Sequence, residues 1–185
     1  MKPGQVERVE FEYLRHGTQC LIANLDVVTG KIVAPTVSDT RTEADFVAHM
    51  QQTVALAPQD SWICVVDQLN THKSESLVRW VADVCGLADD LGVKGKTGIL
   101  QSMVSRTAFL CDPAHRIRFV YTPKHASWLN QIEIWFSILV RRLLKRGNFL
   151  SQQHLKERIL AFIQYFNAIF AKPFQWTYKG KALMM

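Results

Sequence analysis

Trp62-Ile63-Cys64-Val65-Val66-Asp67 is a run of five apolar residues closed by an acid. A short continuous apolar run reads as a strand covered on both faces, as in the parallel sheets of α/β folds. A polar cluster follows at once: Gln68, Asn70, Thr71, His72 and Lys73. A helix from about Ser74 to Cys85 comes next, with Gly86 placed to stop it. Strand, polar loop and helix in that order point to an α/β layer.

Upstream, Gln19 to Val28 reads as a strand ended by Thr29-Gly30, and Lys31 to Val37 as its hairpin partner. Residues 6–13 partly alternate and form a further strand candidate. Arg41 or Thr42 opens a helix that runs to about Ala57. Phe46, Val47, Met50, Val54 and Leu56 form its apolar stripe, and Pro58-Gln59-Asp60 breaks it. Downstream, residues 87–112 are interrupted by Gly92, Gly95 and Gly98, with a helical patch near Leu100 to Leu110. Arg116 to Tyr121 alternates as a strand. The loop Lys124-His125-Ala126 leads to Ser127, a candidate cap for a long helix from Trp128 to Lys145. Gly147 ends that helix, and Ser151 opens another that runs to about Phe170. The reading is one domain with an α/β or α+β layered fold.

At 185 residues and 48% hydrophobic composition, the chain can bury one sizeable core without disulfides or structural metals. Cys20, Cys64, Cys85 and Cys111 are widely scattered, as expected of reduced thiols in a cytoplasmic protein. Cys111 and His115 could share a helix face, but two ligands fall short of a zinc site. No apolar run reaches the roughly 18 residues of a membrane span, and the first residues do not read as a signal peptide.

Charge is distributed unevenly. Residues 1–112 carry 10 Lys and Arg against 14 Asp and Glu, a net of −4; residues 113–185 carry 12 against 2, a net of +10. The basic half suits a polyanion, with nucleic acid the first choice, or else presents a solvated basic face.

Two carboxylates stand apart. Asp67 closes the most apolar strand, where α/β sheets present ligand groups; alternatively, Asp67 or Asn70 turns the chain and caps the next helix. Glu133 lies at the margin of the stripe Ile132, Phe136, Leu139 and Leu143, and is the only acid between Asp112 and Glu157. It also reads as an exposed glutamate near a helix N-terminus. Together, a strand-end Asp and a later helix Glu make a recognisable pair for hard divalent ions. Two such ions can activate a water or a DNA 3′-hydroxyl and stabilise the leaving oxygen. That chemistry needs about three carboxylates, and the sequence nominates two.

Residues suited to DNA surround them. Arg141, Arg142, Lys145 and Arg146 recur at four-residue spacing along one helix side and could neutralise several phosphates. His72, Lys73, Lys124, His125, Trp128 and Asn130 flank the carboxylates and could hold a phosphate or stack on a base.

Three stretches carry a family resemblance: V-V-D-Q-L-N-T-H-K-S at 65–74, Y-T-P-K-H-A-S-W-L-N-Q-I-E-I-W-F at 121–136, and R-H-G-T-Q at 15–19. With W-T-Y-K-G-K at 176–181, they resemble mariner-like bacterial insertion-sequence transposases of the D-D-E superfamily along essentially the whole chain. The resemblance implies a ribonuclease-H-like mixed sheet flanked by helices. It also implies Mg²⁺- or Mn²⁺-dependent DNA strand cleavage and transfer at terminal inverted repeats, acting on target DNA in the bacterial cytoplasm at the nucleoid. A homodimer is one assembly open to it. Asp67 maps onto the second catalytic Asp and Glu133 onto the final Glu.

Two departures follow from the same resemblance. The first catalytic Asp of the family belongs to a central first strand upstream of the Pro-Gly matched by Pro3-Gly4. The expectation is therefore an N-terminally truncated catalytic domain, without that strand or a helix-turn-helix region. Asp26 is no substitute, and residues 6–13 could fill the strand's place only as an antiparallel stand-in. In addition, 133 − 67 − 1 = 65 residues separate Asp67 from Glu133, more than is typical, as if 87–112 were an insertion. Two other functions stay open: a non-catalytic DNA-binding or dimerising remnant, and a different nuclease or junction resolvase on the same fold.

Overall fold

In the computed structural model, which describes residues 16–87, 90–124 and 129–175, four strands form two separate pairs. β1 (Cys20–Leu25) and β2 (Ile32–Ser38) are antiparallel, running from Cys20 opposite Ser38 to Leu25 opposite Ile32. β3 (Trp62–Val66) and β4 (Ile117–Tyr121) are parallel, with Trp62 opposite Ile117 and Val66 opposite Tyr121. Among the described residues, no ladder joins β1 to β3, so the single mixed sheet of the expectation is here two sheets. The strand candidate at 6–13 and the motif at 176–181 lie outside the described residues.

The hairpin is irregular. Between Ile22–Asn24 and its partner segment Val33–Thr36 the register shifts, and Ala34 takes φ +45° beside Pro35. An extra residue in one strand and a proline without an amide donor are the usual companions of a bulge. Gly30, at φ +73°, closes the turn where the chain passes Lys172 so closely that any Cβ would meet its carbonyl at 1.9 Å. Asp26 belongs to this turn: its carboxylate accepts from the Val28 amide at 2.9 Å and the Thr29 hydroxyl at 2.5 Å.

Helices form where the caps allow. Thr42 caps α1 (Glu43–Val54) in a reciprocal capping box with Asp45, satisfying donors that the first helical turn leaves open. Ser74 caps α2 (Glu75–Val84), and Ser102 caps α3 (Met103–Leu110). On α2 the residues Leu77, Val78, Val81 and Ala82 fall on one face and are buried, as a 3.6-residue period requires. They join Phe46, Met50, Leu100, Phe109, Ile117 and Phe119 in the larger core, covering one face of β3 and β4.

Among the described residues the opposite face of β3 is uncovered: Ile63 is 58% and Val65 52% exposed. This corrects the reading of a strand covered on both sides. The remaining helices lie over the hairpin instead, where Trp135, Leu139, Ile159 and Ile163 pack against Ile32 and Val37. These helices are α4 (Gln131–Leu139) and α5 (Gln152–Ile169), the latter capped by Ser151. Asn167 fastens α5 to β2 by accepting from the Ile32 amide and donating to its carbonyl, both at 2.8 Å. No described helix is long and apolar enough to cross a membrane.

The expected helix from 128 to 145 divides. Ser127 and Trp128 lie outside the described residues, and α4 is capped by Asn130. Its last turn, Val140–Leu144, widens to a π-helix with the Lys145 amide donating to Val140 O at 2.8 Å.

Candidate active site

Because β3 and β4 run parallel, both strands end at the same edge, and Asp67 is the first residue beyond β3. Asp67 does turn the chain, as one of the two readings had it: Oδ1 accepts from the Leu69 amide at 3.0 Å. It does not cap α2, since Ser74 accepts from the Leu77 amide at 3.2 Å, and Asn70 instead begins a short 3₁₀ turn through Lys73. The same Oδ1 lies 2.9 Å from His72 Nδ1. A carboxylate only accepts, so His72 carries its proton on Nδ1 and points it at Asp67. Among the described residues, no hydrogen bond falls on Oδ2, and the side chain is 38% exposed.

His72 is seated by the core rather than by solvent. Its ring centroid lies 4.3 Å from that of Phe46. Burial pushes its pKa below the usual value against the opposing pull of Asp67. A neutral imidazole donating to a carboxylate holds that group in one rotamer and leaves its other oxygen available.

Sequence reasoning missed the support beneath this loop. Gln68 donates to Thr122 O at 2.5 Å and accepts from the Lys73 ammonium. That ammonium also sits 4.6 Å over the Tyr121 ring, while Tyr121 donates its hydroxyl to His72 O at 2.6 Å. Lys73, nominated for DNA, is thus turned inward to brace the loop. Only the position of Gln68 directly after Asp67 could have hinted at its role. Burial pushes the thiol of Cys64, on β3, up to about 12.

Asn130 links the helix that carries Glu133 to β3. Its Oδ1 accepts from the Ile132 amide at 3.4 Å as the α4 cap, and its Nδ2 lies 3.4 Å from Val65 O. Glu133, in the first turn of α4, donates its amide to Asn130 O at 3.0 Å and has an exposed side chain. Asp67 and Glu133 therefore flank one contact, between Val65 and Asn130. Among the described residues, no group of three His, Cys, Asp or Glu could hold a metal ion. The donors present suit a hard cation in kind but fall short in number.

The remaining nominees are spread out. Lys124, Arg141, Arg142, Lys145 and Arg146 are exposed, whereas His125 and Trp128 lie outside the described residues. The four basic residues at 141–146 straddle the π turn and its exit rather than a regular helix.

With this geometry in place, comparison with known proteins identifies the class. The DDE superfamily endonuclease family matches residues 1–156, and the chain belongs to that family. Members act on DNA as metal-dependent nucleases and polynucleotidyl transferases. No curated protein and no solved structure matches the chain.

Proposed function

We propose that this domain serves DNA transposition, cleaving and transferring strands at the ends of an insertion sequence of the mariner-like kind. The observation that carries this reading is the Asn130–Val65 contact, which sets the first turn of α4 beside the loop that holds Asp67. Asp67 and Glu133 would hold Mg²⁺ or Mn²⁺. Such an ion lowers the pKa of a bound water and stabilises charge on the transferred phosphate. His72 keeps Asp67 oriented, and the basic half of the chain binds the DNA strands. A third carboxylate would come from the central strand that a ribonuclease-H-like sheet carries.

A second reading, a non-catalytic DNA-binding or dimerising remnant, is favoured by the count of two nominated acids. Nicking of DNA bearing the element's inverted repeats separates the two. Mg²⁺-dependent nicking by the full chain, abolished by Asp67→Asn and by Glu133→Gln, supports the enzyme. Salt-sensitive binding with no nicking, unchanged in both variants, supports the remnant.

A further inference from the structure

Where α5 passes the π turn, the surface opens into a cleft of about 560 Å³ lined by Ile138, Arg141, Arg142, Phe162, Phe166 and Phe170. Its two sides differ in chemistry. One carries two exposed guanidinium groups, and among the described residues neither is ion-paired. The other carries phenylalanine rings, with Phe170 41% exposed at the end of α5. Arg142 sits 5.3 Å over the Phe170 ring, and Tyr165, also exposed, meets that ring edge-on at 5.5 Å. Phe170 and Tyr165 are exposed beside these cations, whereas Phe162 and Phe166 are half-buried and pack against Trp135.

The π turn lies at this opening. A backbone bond spanning five residues accommodates one residue more per turn than the α-helix, and such turns concentrate at functional sites. Here the widened turn carries both arginines of the cleft.

We propose that this cleft seats one unpaired DNA nucleotide, its base on the exposed Phe170 ring and its phosphate on Arg141 and Arg142. The proposal deepens the DNA-cleaving reading above and rests on it. Phosphates of intact duplex would need only the arginines. The ring faces add something that a base can use only after it leaves the stack. Charge decides against an apolar or basic peptide, because the rim is cationic within a half of the chain that carries a net +10. The cleft is also within reach of the proposed chemistry. Arg141 follows Glu133 by eight residues, roughly 12 Å along a helix at about 1.5 Å per residue. That is on the order of three steps of a DNA strand at roughly 3.4 Å each.

The test compares two duplexes binding to the full chain, one blunt and one ending in a single unpaired 5-iodouridine. The expected result is a preference of roughly tenfold for the unpaired end, within the range measured for stacking on one aromatic side chain. Phe170→Leu keeps the apolar volume without the ring face; it should abolish the preference while leaving blunt-duplex binding unchanged. Arg142→Gln should weaken binding of the unpaired end. Irradiation should cross-link the iodouridine to the segment carrying Phe166 and Phe170. Equal affinity for the two duplexes overturns the proposal, as does a preference that survives Phe170→Leu or a cross-link elsewhere. A wild-type chain that binds neither duplex overturns the DNA reading itself.

Discussion

Asn130 Nδ2 lies 3.4 Å from Val65 O, and the same side chain caps α4 through the Ile132 amide. One residue thus starts the helix that carries Glu133 and ties it to the strand that leads into Asp67.

These two roles separate by substitution. Asn130→Ser retains a capping oxygen but is too short to reach Val65. The expected outcome is a stability change of a few tenths of a kcal/mol, as Asn and Ser are near-equal caps, with a loss of nicking of at least tenfold. Asn130→Ala should lose about 1 kcal/mol more in urea unfolding.

His72 acts through Asp67. Removing the imidazole in His72→Ala leaves the Leu69 amide as the partner of Oδ1. Loss of a group that orients a metal-binding carboxylate typically costs about 10–100-fold in metal affinity. The Mg²⁺ concentration for half-maximal nicking should rise by about that factor, with little change in affinity for DNA.

His49 makes the fold acid-sensitive. It is wholly buried, accepting at Nε2 from Asn24 at 2.8 Å and donating from Nδ1 to Thr36 at 2.9 Å. Burial, aided by the neighbouring His72, lowers its pKa from 6.5 to about 4. Because the folded state resists the proton, this contribution is fully present above pH 6.5 and is lost as pH falls towards 4. The loss amounts to roughly 3 kcal/mol. Urea unfolding of wild type and His49→Gln should show the variant with the flatter dependence across that window.

The open face of β3 gives a stability contrast. Ile63→Thr should cost no more than about 0.5 kcal/mol, as for other exposed positions. Leu77→Ala, at a site with no exposure, should cost about 2–5 kcal/mol. A large cost at Ile63 would mean that the face is covered in the folded protein.

Much of this fold was legible in the residues. The bounds of β3 match the apolar run, and Thr42, Ser74 and Ser151 each cap a helix close to its expected start. Periodicity could not show which face of β3 is covered, because Ile63 and Val65 are as apolar as Cys64 and Val66. It also missed Trp135, a major core residue, because the stripe was drawn through Ile132 and Phe136 on either side of it. The π turn left no sign, since a four-residue repeat of basic residues fits both helix types. In the loop after Asp67, composition named the residues but not their directions. That Lys73 turns inward depends on Gln68 and on Tyr121, which lies on another strand.

Whether Asp67 and Glu133 share one metal ion can be read out by iron-mediated backbone cleavage. Fe²⁺ in place of Mg²⁺, with ascorbate and peroxide, generates radicals that cut the chain near the bound ion. A shared ion should cut two segments, around 65–69 and around 130–134, with both cuts lost in Asp67→Asn and both lost in Glu133→Gln. Cutting confined to one segment, or persisting unchanged in Glu133→Gln, would contradict it.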